Sequence, residues 1–407
     1  MPELPEVETV VRDLRPLIVG ATITGARCSW ARTLRTHSPD GFAEAVAGHR
    51  VEGVNRRAKL LVVDLSHGLV MTIHLKMTGQ LFVVPKSTPV DPYERLALTL
   101  DGGREIRFRD IRKFGKVGLY VRHIGTGEPV HEAGGASVFA GLGPEPLDDA
   151  FTLGEFRRRL RKRSGRLKSL LLDQSFVAGI GNIYADEALW AARLHPLRSA
   201  SSLRPPDERR LYVAIRAILA EAVERRGSSI DDYTAPEGDG SMQERLLVYQ
   251  RAGHPCPRCA RPLRRIVVGM RATHFCSWCQ RLPAADRKGA AVILRGMTPA
   301  GGARRASSGG ARRASAGGAL VAPTVETNRR GRRWTELPGP AALGLTADEA
   351  AIAELRSRAA RTKAAAASRR ARARASTAQP ARAQPARAQA QPARSIAPAP
   401  VSAGQRS

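Results

Sequence analysis

The sequence predicts a multidomain α+β protein, in which a β-sandwich with an N-terminal helix is followed by a helical domain, a zinc-finger β-hairpin and a disordered basic tail. Three observations support this prediction: alternating apolar residues over 51–108, apolar residues at helical spacing over 152–227, and two Cys-x-x-Cys pairs. The 407 residues fit two or more domains. The formal net charge of +29 favours a polyanionic partner, nucleic acid before an anionic membrane.

The first domain is expected over residues 1–135, with one helix followed by strands. Apolar residues between Val10 and Leu17 have helical spacing, and Gly20 follows them as a stop signal. From Val51 onward, short alternating segments are separated by glycine and proline, which is typical of the strands of a sandwich or barrel. The Asp-Gly-Gly sequence at 101–103 predicts a hairpin turn between two of these strands.

A linker over residues 136–150 leads to a helical domain that is expected over residues 151–250. Thr152 and Glu155 have the spacing of a capping box, so a helix is expected to begin there. Further helices are expected over 167–173 and after Asn182. Asp207 is expected to cap the longest helix, which has one apolar face and ends at Gly227.

Four of the five cysteines form two pairs with the spacing Cys-x2-Cys-x16-Cys-x2-Cys, in a third domain expected over residues 251–282. This spacing predicts a zinc ion with four thiolate ligands and therefore no open position for catalysis. We expect one structural zinc ion and no organic cofactor. Between the pairs, a hairpin would present Arg271 near its tip, either as a phosphate contact or as a solvated side chain. The predicted ligands are Cys256, Cys259, Cys276 and Cys279.

Residues 283–407 are expected to form a basic, mostly disordered tail. Residues 299–407 contain 20 Lys or Arg and 5 Asp or Glu, so they carry +15 of the net charge and the first 298 residues carry +14. With Trp334 as its one aromatic residue, this segment has too little apolar surface to offset the entropy of ordering. Thr346 and Glu349 provide one capping signal for a short helix within it.

The sequence also predicts a location. It contains no run of about 18 apolar residues, so insertion into a membrane is not expected. The N-terminus is acidic and short of apolar residues, unlike a secretory signal peptide. We therefore expect a cytoplasmic protein.

The N-terminus contains a candidate nucleophile. Removal of Met1 would leave Pro2 as a secondary amine, and an α-amino group with a pKa of about 7.7 to 8 is partly unprotonated near neutral pH. Such an amine can attack an aldehyde-level carbon and form an iminium ion, with Glu3 and Glu6 as adjacent acid and base. Alternatively, Pro2 and Pro5 simply begin a helix with an acidic first turn, and composition alone favours this alternative.

Several motifs together resemble one known family. The first ten residues, Met-Pro-Glu-Leu-Pro-Glu-Val-Glu-Thr-Val, resemble the start of the formamidopyrimidine-DNA glycosylases, bacterial enzymes that remove oxidised purines from DNA. The similarity continues in order through residues 56–60, 74–79, 110–115, 142–147 and 179–187 and the cysteine hairpin. It covers roughly residues 1–282 and implies that the helical domain contains a helix-two-turn-helix element over residues 168–187.

The resemblance implies a base-excision-repair DNA glycosylase that is also a lyase at abasic sites. In this family the N-terminal proline attacks C1′ of the damaged nucleotide, the base leaves, and β- and δ-elimination cut the strand. Pro2, Glu3 and Glu6 match the nucleophile and the paired carboxylates, and Glu3 is the residue expected to protonate the sugar ring oxygen. Lys59 matches a lysine that contacts the lesion and the adjoining phosphate. We place Lys59 on a strand, where the alternative is an ordinary edge-strand lysine.

The resemblance also implies two sets of DNA contacts. The first is a wedge that fills the gap left by a flipped nucleotide and consists of Met77, Arg112 and Phe114. Without the resemblance, Met77 and Phe114 would more often be core residues. The second is a phosphate clamp that consists of Lys168, Asn182 and Arg271. For Asn182, an ordinary N-cap is a compatible interpretation.

The implied partner is double-stranded DNA with oxidised bases, bound by a monomer that associates with the bacterial nucleoid. Two alternatives stay open: an endonuclease VIII-type enzyme for oxidised pyrimidines, and a DNA-binding protein without activity. Leu4 favours the purine-type enzyme because the sister group usually has glycine there. The joint presence of four residues argues against the inactive protein: Pro2, Glu3, Glu6 and Lys59. Residues 234–245 do not align with the glycine-rich loop of this family, which leaves the lesion preference open.

Overall fold

The computed structural model describes residues 2–229 and 240–296. These residues contain a sandwich, a helical domain and a small hairpin module followed by a helix. Residues 234–239 of the 234–245 segment, the basic segment from residue 297 onward and the capping signal at Thr346 lie outside the described residues. In the described part of the chain, no helix is long and apolar enough to cross a membrane.

The N-terminal domain consists of two antiparallel sheets and two helices, α1 (Leu4–Ile18) and α2 (Pro39–Val46). The sheets have the strand orders β1-β6-β7-β5 and β2-β3-β4-β8-β9. The sandwich and its N-terminal helix are therefore confirmed. The strands are β1 (Ile23–Cys28), β2 (Val51–Arg57), β3 (Leu60–Leu65), β4 (Leu69–His74), β5 (Gly79–Pro85), β6 (Glu94–Leu100), β7 (Arg104–Asp110), β8 (Lys116–Arg122) and β9 (Pro129–Val130).

The alternation in the strands produces one core between the sheets. Ile106 and Phe108 on β7 pair with Leu98 and Leu96 on β6, and all four side chains are buried. Val10, on the apolar face of α1, belongs to the same core. Burial of each such side chain contributes about 1.5 to 3 kcal/mol relative to exposure. The period of two in the strands and the helical period in α1 thus direct their apolar residues to one place.

The helical domain contains α3 (Leu153–Leu160), α4 (Leu167–Leu172), α5 (Asn182–Ala191) and α6 (Pro205–Glu224). Thr152 caps α3 as predicted, since its Oγ1 accepts a hydrogen bond from Glu155 N–H at 3.2 Å. The prediction that Asp207 caps α6 was wrong: the N-cap is Arg204, and Asp207 lies three residues later. Two prolines precede Asp207, and their fixed φ suits the first turn, so the helix begins earlier.

The hairpin module consists of β10 (Arg264–Val268) and β11 (Arg271–Phe275) and is followed by helix α7 (Ala284–Arg295). The prediction that the disordered tail begins at residue 283 is wrong for residues 284–295, which form this helix. The apolar residues Ala290, Ile293 and Leu294 of α7 share a core cluster with residues of β10. Their helical spacing gives this short segment enough apolar surface to pack on the hairpin.

Candidate active site and zinc centre

Glu3 is the N-cap of α1, and its side chain is only 1% exposed. Its Oε2 accepts a hydrogen bond from Gly181 N–H at 2.6 Å, and Oε1 accepts one from Ile183 N–H at 2.8 Å. These donors lie at the N-terminus of α5, where backbone N–H groups have no partner inside the helix. Burial raises the pKa of Glu3, while Lys59 and the hydrogen bond from Ile183 partly oppose the increase.

Glu6 is the second buried carboxylate, and it too is held by the helical domain. Its Oε1 accepts hydrogen bonds from the Tyr184 hydroxyl at 2.5 Å and from Ser228 N–H at 2.8 Å. Its Oε2 accepts from the backbone N–H of Glu3 at 2.8 Å. Burial and the neighbouring Glu6 raise the pKa of Tyr184 well above its ordinary value, so its hydroxyl stays a donor. Tyr184 and Ser228 were not predicted from the sequence, although Tyr184 lies in the 179–187 motif.

Two glycines allow α1 and α5 to approach this closely. A Cβ on Gly181 would lie 2.4 Å from the carboxyl carbon of Glu3, a distance that real Cβ atoms do not adopt. Gly179 has φ of +85° and accepts a hydrogen bond from Leu4 N–H at 3.0 Å. Pro2, directly before Glu3, is buried at the same place. The predicted nucleophile and both carboxylates therefore lie together at the boundary of the two domains.

Lys59 joins this group, but it lies in the turn between β2 and β3 rather than on a strand. Ala58, with φ of 55°, makes the turn, so the predicted strand position was wrong. The side chain is 8% exposed. Burial lowers the pKa of Lys59, and the carboxylates Glu3 and Glu6 partly restore it.

Glu145 holds the turn that carries Lys59, a role that the sequence did not reveal. Its Oε1 accepts hydrogen bonds from Ala58 N–H at 2.6 Å and from Arg57 at 2.8 Å, and Oε2 accepts one from Arg56 at 2.6 Å. Burial alone would raise the pKa of Glu145, but Arg56 and these hydrogen bonds hold it below its usual value. The 142–147 motif thus anchors the interdomain linker to the first domain.

The three predicted wedge residues lie on two neighbouring loops. Met77 follows β4, Arg112 and Phe114 follow β7, and Arg112 Nη1 lies 3.4 Å from Met77 Sδ. Met77 is 37% and Phe114 is 52% exposed, which excludes a core position for either. The buried Asp110 connects the loops, because its carboxylate accepts hydrogen bonds from the Thr78 hydroxyl and from Gly115 N–H.

The predicted phosphate contact of Lys168 does not agree with the structure. Its side chain is 0% exposed, and Nζ lies 2.6 Å from Asp186 Oδ1. Nζ also donates to the carbonyl of Asn182 at 2.9 Å, while Asp186 Oδ2 accepts from His274 N–H at 2.8 Å. Lys168 therefore connects α4, α5 and β11 from inside the protein. The burial of Lys168 depends on its ion pair with Asp186, which no local pattern in the sequence reveals.

Asn182 and Arg271 do lie near each other. Asn182 is the first residue of α5, with Gly181 as N-cap, so the N-cap interpretation of Asn182 is also wrong. Its Nδ2 donates to the carbonyl of Ala272 at 2.9 Å, and its buried Oδ1 has no hydrogen-bond partner among the described residues. Arg271, next to Ala272, begins β11 and is exposed. The exposed guanidinium of Arg271 is therefore the group of this pair that is open to an anion, and its charge contributes to lowering the pKa of Lys59.

The four predicted zinc ligands form one cluster. The Sγ atoms all lie within 4.8 Å of one another, with Cys256 and Cys279 at 3.9 Å and Cys259 and Cys276 at 3.5 Å. Tetrahedral zinc with Zn–S bonds of about 2.3 Å places its sulfur ligands at such separations. The residues therefore fit one zinc ion with no open position, as predicted.

Comparison with known proteins agrees with the domains and the zinc centre described above. Family models match residues 1–117 as the formamidopyrimidine-DNA glycosylase N-terminal domain, 142–234 as its H2TH domain and 253–282 as a zinc finger found in FPG and IleRS. A formamidopyrimidine-DNA glycosylase of Herpetosiphon aurantiacus is 45% identical over 282 residues, which are 69% of this chain and 100% of that protein. The chain belongs to the formamidopyrimidine-DNA glycosylase family.

Other members of this family are similarly close. The formamidopyrimidine-DNA glycosylase of Chloroflexus aurantiacus is 48% identical over 69% of this chain and 98% of that protein. The crystal structure of FPG from Thermus thermophilus has a TM-score of 0.60 and 42% identity. A Lactococcus lactis FPG variant in complex with a Fapy-dG-containing DNA has a TM-score of 0.62 and 33% identity. Each structure covers 69% of this chain and the full length of the related chain.

We predict that Gly181→Ala displaces the Glu3 carboxylate, because the new Cβ has no space. Without those N–H bonds the pKa of Glu3 should rise further, since they favour the ionised form. Overpacking should also lower the free energy of unfolding by about 1 to 3 kcal/mol. Carboxyl 13C NMR titration and thermal unfolding measure the two effects. Gly165→Ala, where nothing lies within 4 Å, is the control and should change neither. An unshifted Glu3 titration in Gly181→Ala would contradict the close approach.

For the zinc centre, we expect wild-type protein to contain one zinc ion per chain and Cys276→Ser to lose it, together with binding to duplex DNA. Removal of one thiolate opens the tetrahedral site, and a structural zinc contributes directly to folding of its module. Elemental analysis and a duplex-binding assay measure the outcomes. Cys28→Ser, at the fifth cysteine, serves as control and should retain the metal. Full zinc content in Cys276→Ser would exclude this ligand set.

Proposed function

We propose that the chain is a bifunctional DNA glycosylase that removes oxidised purines, such as 8-oxoguanine and formamidopyrimidines, from duplex DNA and then cuts the strand. The observation that carries this proposal is the buried carboxylate pair beside Pro2, held in place by hydrogen bonds from Gly181 and Tyr184. Family membership supports it, as the curated relatives are named for this activity.

The proposed reaction begins at the nitrogen of Pro2 after removal of Met1. Its lone pair attacks C1′, the bond from C1′ to the base breaks, and the base leaves with the bonding electrons. The nitrogen of Pro2 then loses its own proton, which balances the proton that the departing base takes up. Glu3 transfers its proton to the ring oxygen O4′ as the C1′–O4′ bond breaks, which leaves an iminium ion between Pro2 and C1′. Because burial raises the pKa of Glu3, a larger fraction of it retains this proton near neutral pH.

The iminium ion then accepts electrons during strand cleavage. Loss of a proton from C2′ expels the 3′ phosphate by β-elimination, and a second elimination expels the 5′ phosphate. Glu6 is surrounded by Tyr184, Ser228 and the backbone of Glu3. These contacts favour a positioning role for Glu6, with Glu3 as the acid that touches the sugar. We propose that Lys59, whose pKa is lowered mainly by burial, contacts the lesion and its phosphate.

A nucleotide must leave the base stack before Pro2 can reach C1′, at a cost of a few kcal/mol. The exposed side chains of Met77 and Phe114 are suited to insertion into the gap, with Arg112 beside Met77 to pair with the opposite base. Arg271, which is exposed, would hold the backbone phosphate, with Asn182 beside it through its contact with Ala272. We propose these five as the lesion-side contacts, with Lys168 acting from the interior through Asp186.

The contacts that hold Glu3 and Glu6 form within one chain. We propose a monomer that acts on chromosomal DNA in the bacterial cytoplasm, where it would associate with the nucleoid. Light scattering that showed two chains on one short duplex would contradict the monomer.

The covalent chemistry is tested by borohydride trapping on duplex DNA with a single 8-oxoguanine. We expect wild-type protein to give a covalent adduct and Pro2→Gly to give much less of it. Glu3→Gln should form the adduct at a rate lower by about 10²- to 10⁴-fold, which is the usual contribution of a general acid. Glu44→Gln, at an exposed carboxylate, is the matched control and should trap like wild type. No adduct from wild-type protein that begins with Pro2 would falsify the lyase proposal.

The basic segment 299–407 is tested by deletion. If its arginines bind DNA, the slope of log affinity against log salt should flatten by about 0.9 for each phosphate that they neutralise in the full chain. Affinity for undamaged duplex, measured between low and physiological salt for the full and shortened chains, gives this slope. If deletion leaves the slope unchanged, the segment does not bind DNA. As a control, borohydride trapping at saturating protein should give the same yield of adduct with the full and the shortened chain.

A further inference from the structure

Helix α5 has the candidate active site at one end and the zinc centre at the other. At its N-terminus, Gly181 N–H and Ile183 N–H donate to the Glu3 carboxylate at 2.6 and 2.8 Å. At its C-terminus, the carbonyls of Trp190 and Ala191 both accept hydrogen bonds from the guanidinium of one arginine. A ten-residue helix is about 15 Å long, so the two ends are well separated.

The arginine at the C-terminal end is Arg258, which lies between the zinc ligands Cys256 and Cys259. Its guanidinium carbon is 3.6 Å from the centre of the Trp190 ring, and it donates to the Ala191 carbonyl at 3.1 Å. Trp190 packs in the same core cluster as Cys256. The last carbonyls of a helix have no partners inside the helix, and a cation near them is favourable. Arg258 contacts two of them with a single planar group, although the Trp190 carbonyl also accepts a hydrogen bond from Arg193 N–H at 3.1 Å.

Between its ends, α5 is held on several sides. Its residues 183–190 are all buried. Glu187 accepts hydrogen bonds from Val248 N–H and Tyr249 N–H at 2.9 Å, in the segment that leads into the zinc module. Asp186 accepts one from His274 N–H of β11 at 2.8 Å. A helix packed this closely shifts as one body rather than bending along its length, because protein interiors are close-packed.

We propose that Arg258 is a positioning residue that fixes the C-terminal end of α5 to the zinc centre and thereby sets the hydrogen bonds that Glu3 receives at the other end, a role that rests on the proposed function of Glu3. With zinc bound, Cys256 and Cys259 are held in place, and so is the backbone that carries Arg258. The zinc ion, which has no open coordination position, then influences the hydrogen bonds of Glu3 without contacting it. Conversely, the contact with α5 helps to retain the metal.

The same module provides a matched control in Arg261. This residue also stacks on an indole, with its guanidinium carbon 3.5 Å from the centre of the Trp278 ring. Trp278 is 48% exposed and lies on the surface of the module, in contrast to the buried Trp190. Arg258→Gln and Arg261→Gln therefore remove the same charge and the same type of stacking from the same module. Only the former removes hydrogen bonds to α5.

The two variants are compared in the full chain by two measurements. The first is the rate of zinc release, followed by the colour of an indicator chelator added in excess. This measurement does not require an active enzyme. The second is the pH dependence of single-turnover base release from duplex with one 8-oxoguanine. We expect Arg258→Gln to release zinc about 10-fold faster, as is usual when a residue that supports the ligands of a metal site is replaced. We also expect the limb of its pH profile that Glu3 sets to move to higher pH, because weakened N–H bonds disfavour the carboxylate.

Arg261→Gln should match wild type in both measurements. Equal zinc release from the two variants, or faster release without a shift in the pH profile, would overturn the proposal. If circular dichroism shows that Arg258→Gln does not fold, Arg258→Lys replaces it, since lysine keeps the charge but lacks the planar fork for two carbonyls. Its zinc release should lie between wild type and the value expected for Arg258→Gln, and release at the wild-type rate would overturn the proposal. If wild-type protein released no base, the proposed function would be refuted. The zinc measurement does not depend on base release, so the two failures can be told apart.

Discussion

The Glu3 carboxylate belongs to the N-terminal domain, but its hydrogen-bond donors belong to the helical domain. A buried carboxylate is costly unless donors replace the water it has lost, and here the N-terminus of α5 supplies them at 2.6 and 2.8 Å. Several other features follow from this contact. Gly181 must lack a side chain, and Glu6 repeats the arrangement with Tyr184, so groups of both domains surround the two carboxylates.

Burial at this site shifts the pKa of an acidic group and of a basic group. It raises the pKa of Glu3 and lowers that of Lys59, because desolvation disfavours the charged form of each group. Their mutual attraction opposes both shifts, so each remains closer to its ordinary value than burial alone would allow. An acid that retains its proton and a lysine that releases its own more easily are thus produced by one environment. Under the proposed function, the proton that Glu3 retains is the one that it transfers to the sugar ring oxygen.

Local patterns predicted much of this molecule, and long-range contacts account for the errors. The cysteine spacing identified the zinc centre, and strand alternation identified the sandwich, because both signals lie in short stretches of chain. The burial of Lys168 depends on Asp186, 18 positions away, and no local pattern records that pairing. The basic composition beyond residue 283 indicated disorder, yet Ala290 and its apolar neighbours pack on β10. The turn at Lys59 depends on Glu145, which comes from the interdomain linker.

The division of the site between two domains also has a consequence for the cell. An N-terminal domain made alone, as a partly synthesised chain or a proteolytic fragment, would carry the amine of Pro2 without the donors that orient Glu3. It would lack the α5 N-terminus, Tyr184 and Ser228. Under the proposed function, a protein that breaks DNA strands would therefore become competent only after both halves have folded and docked.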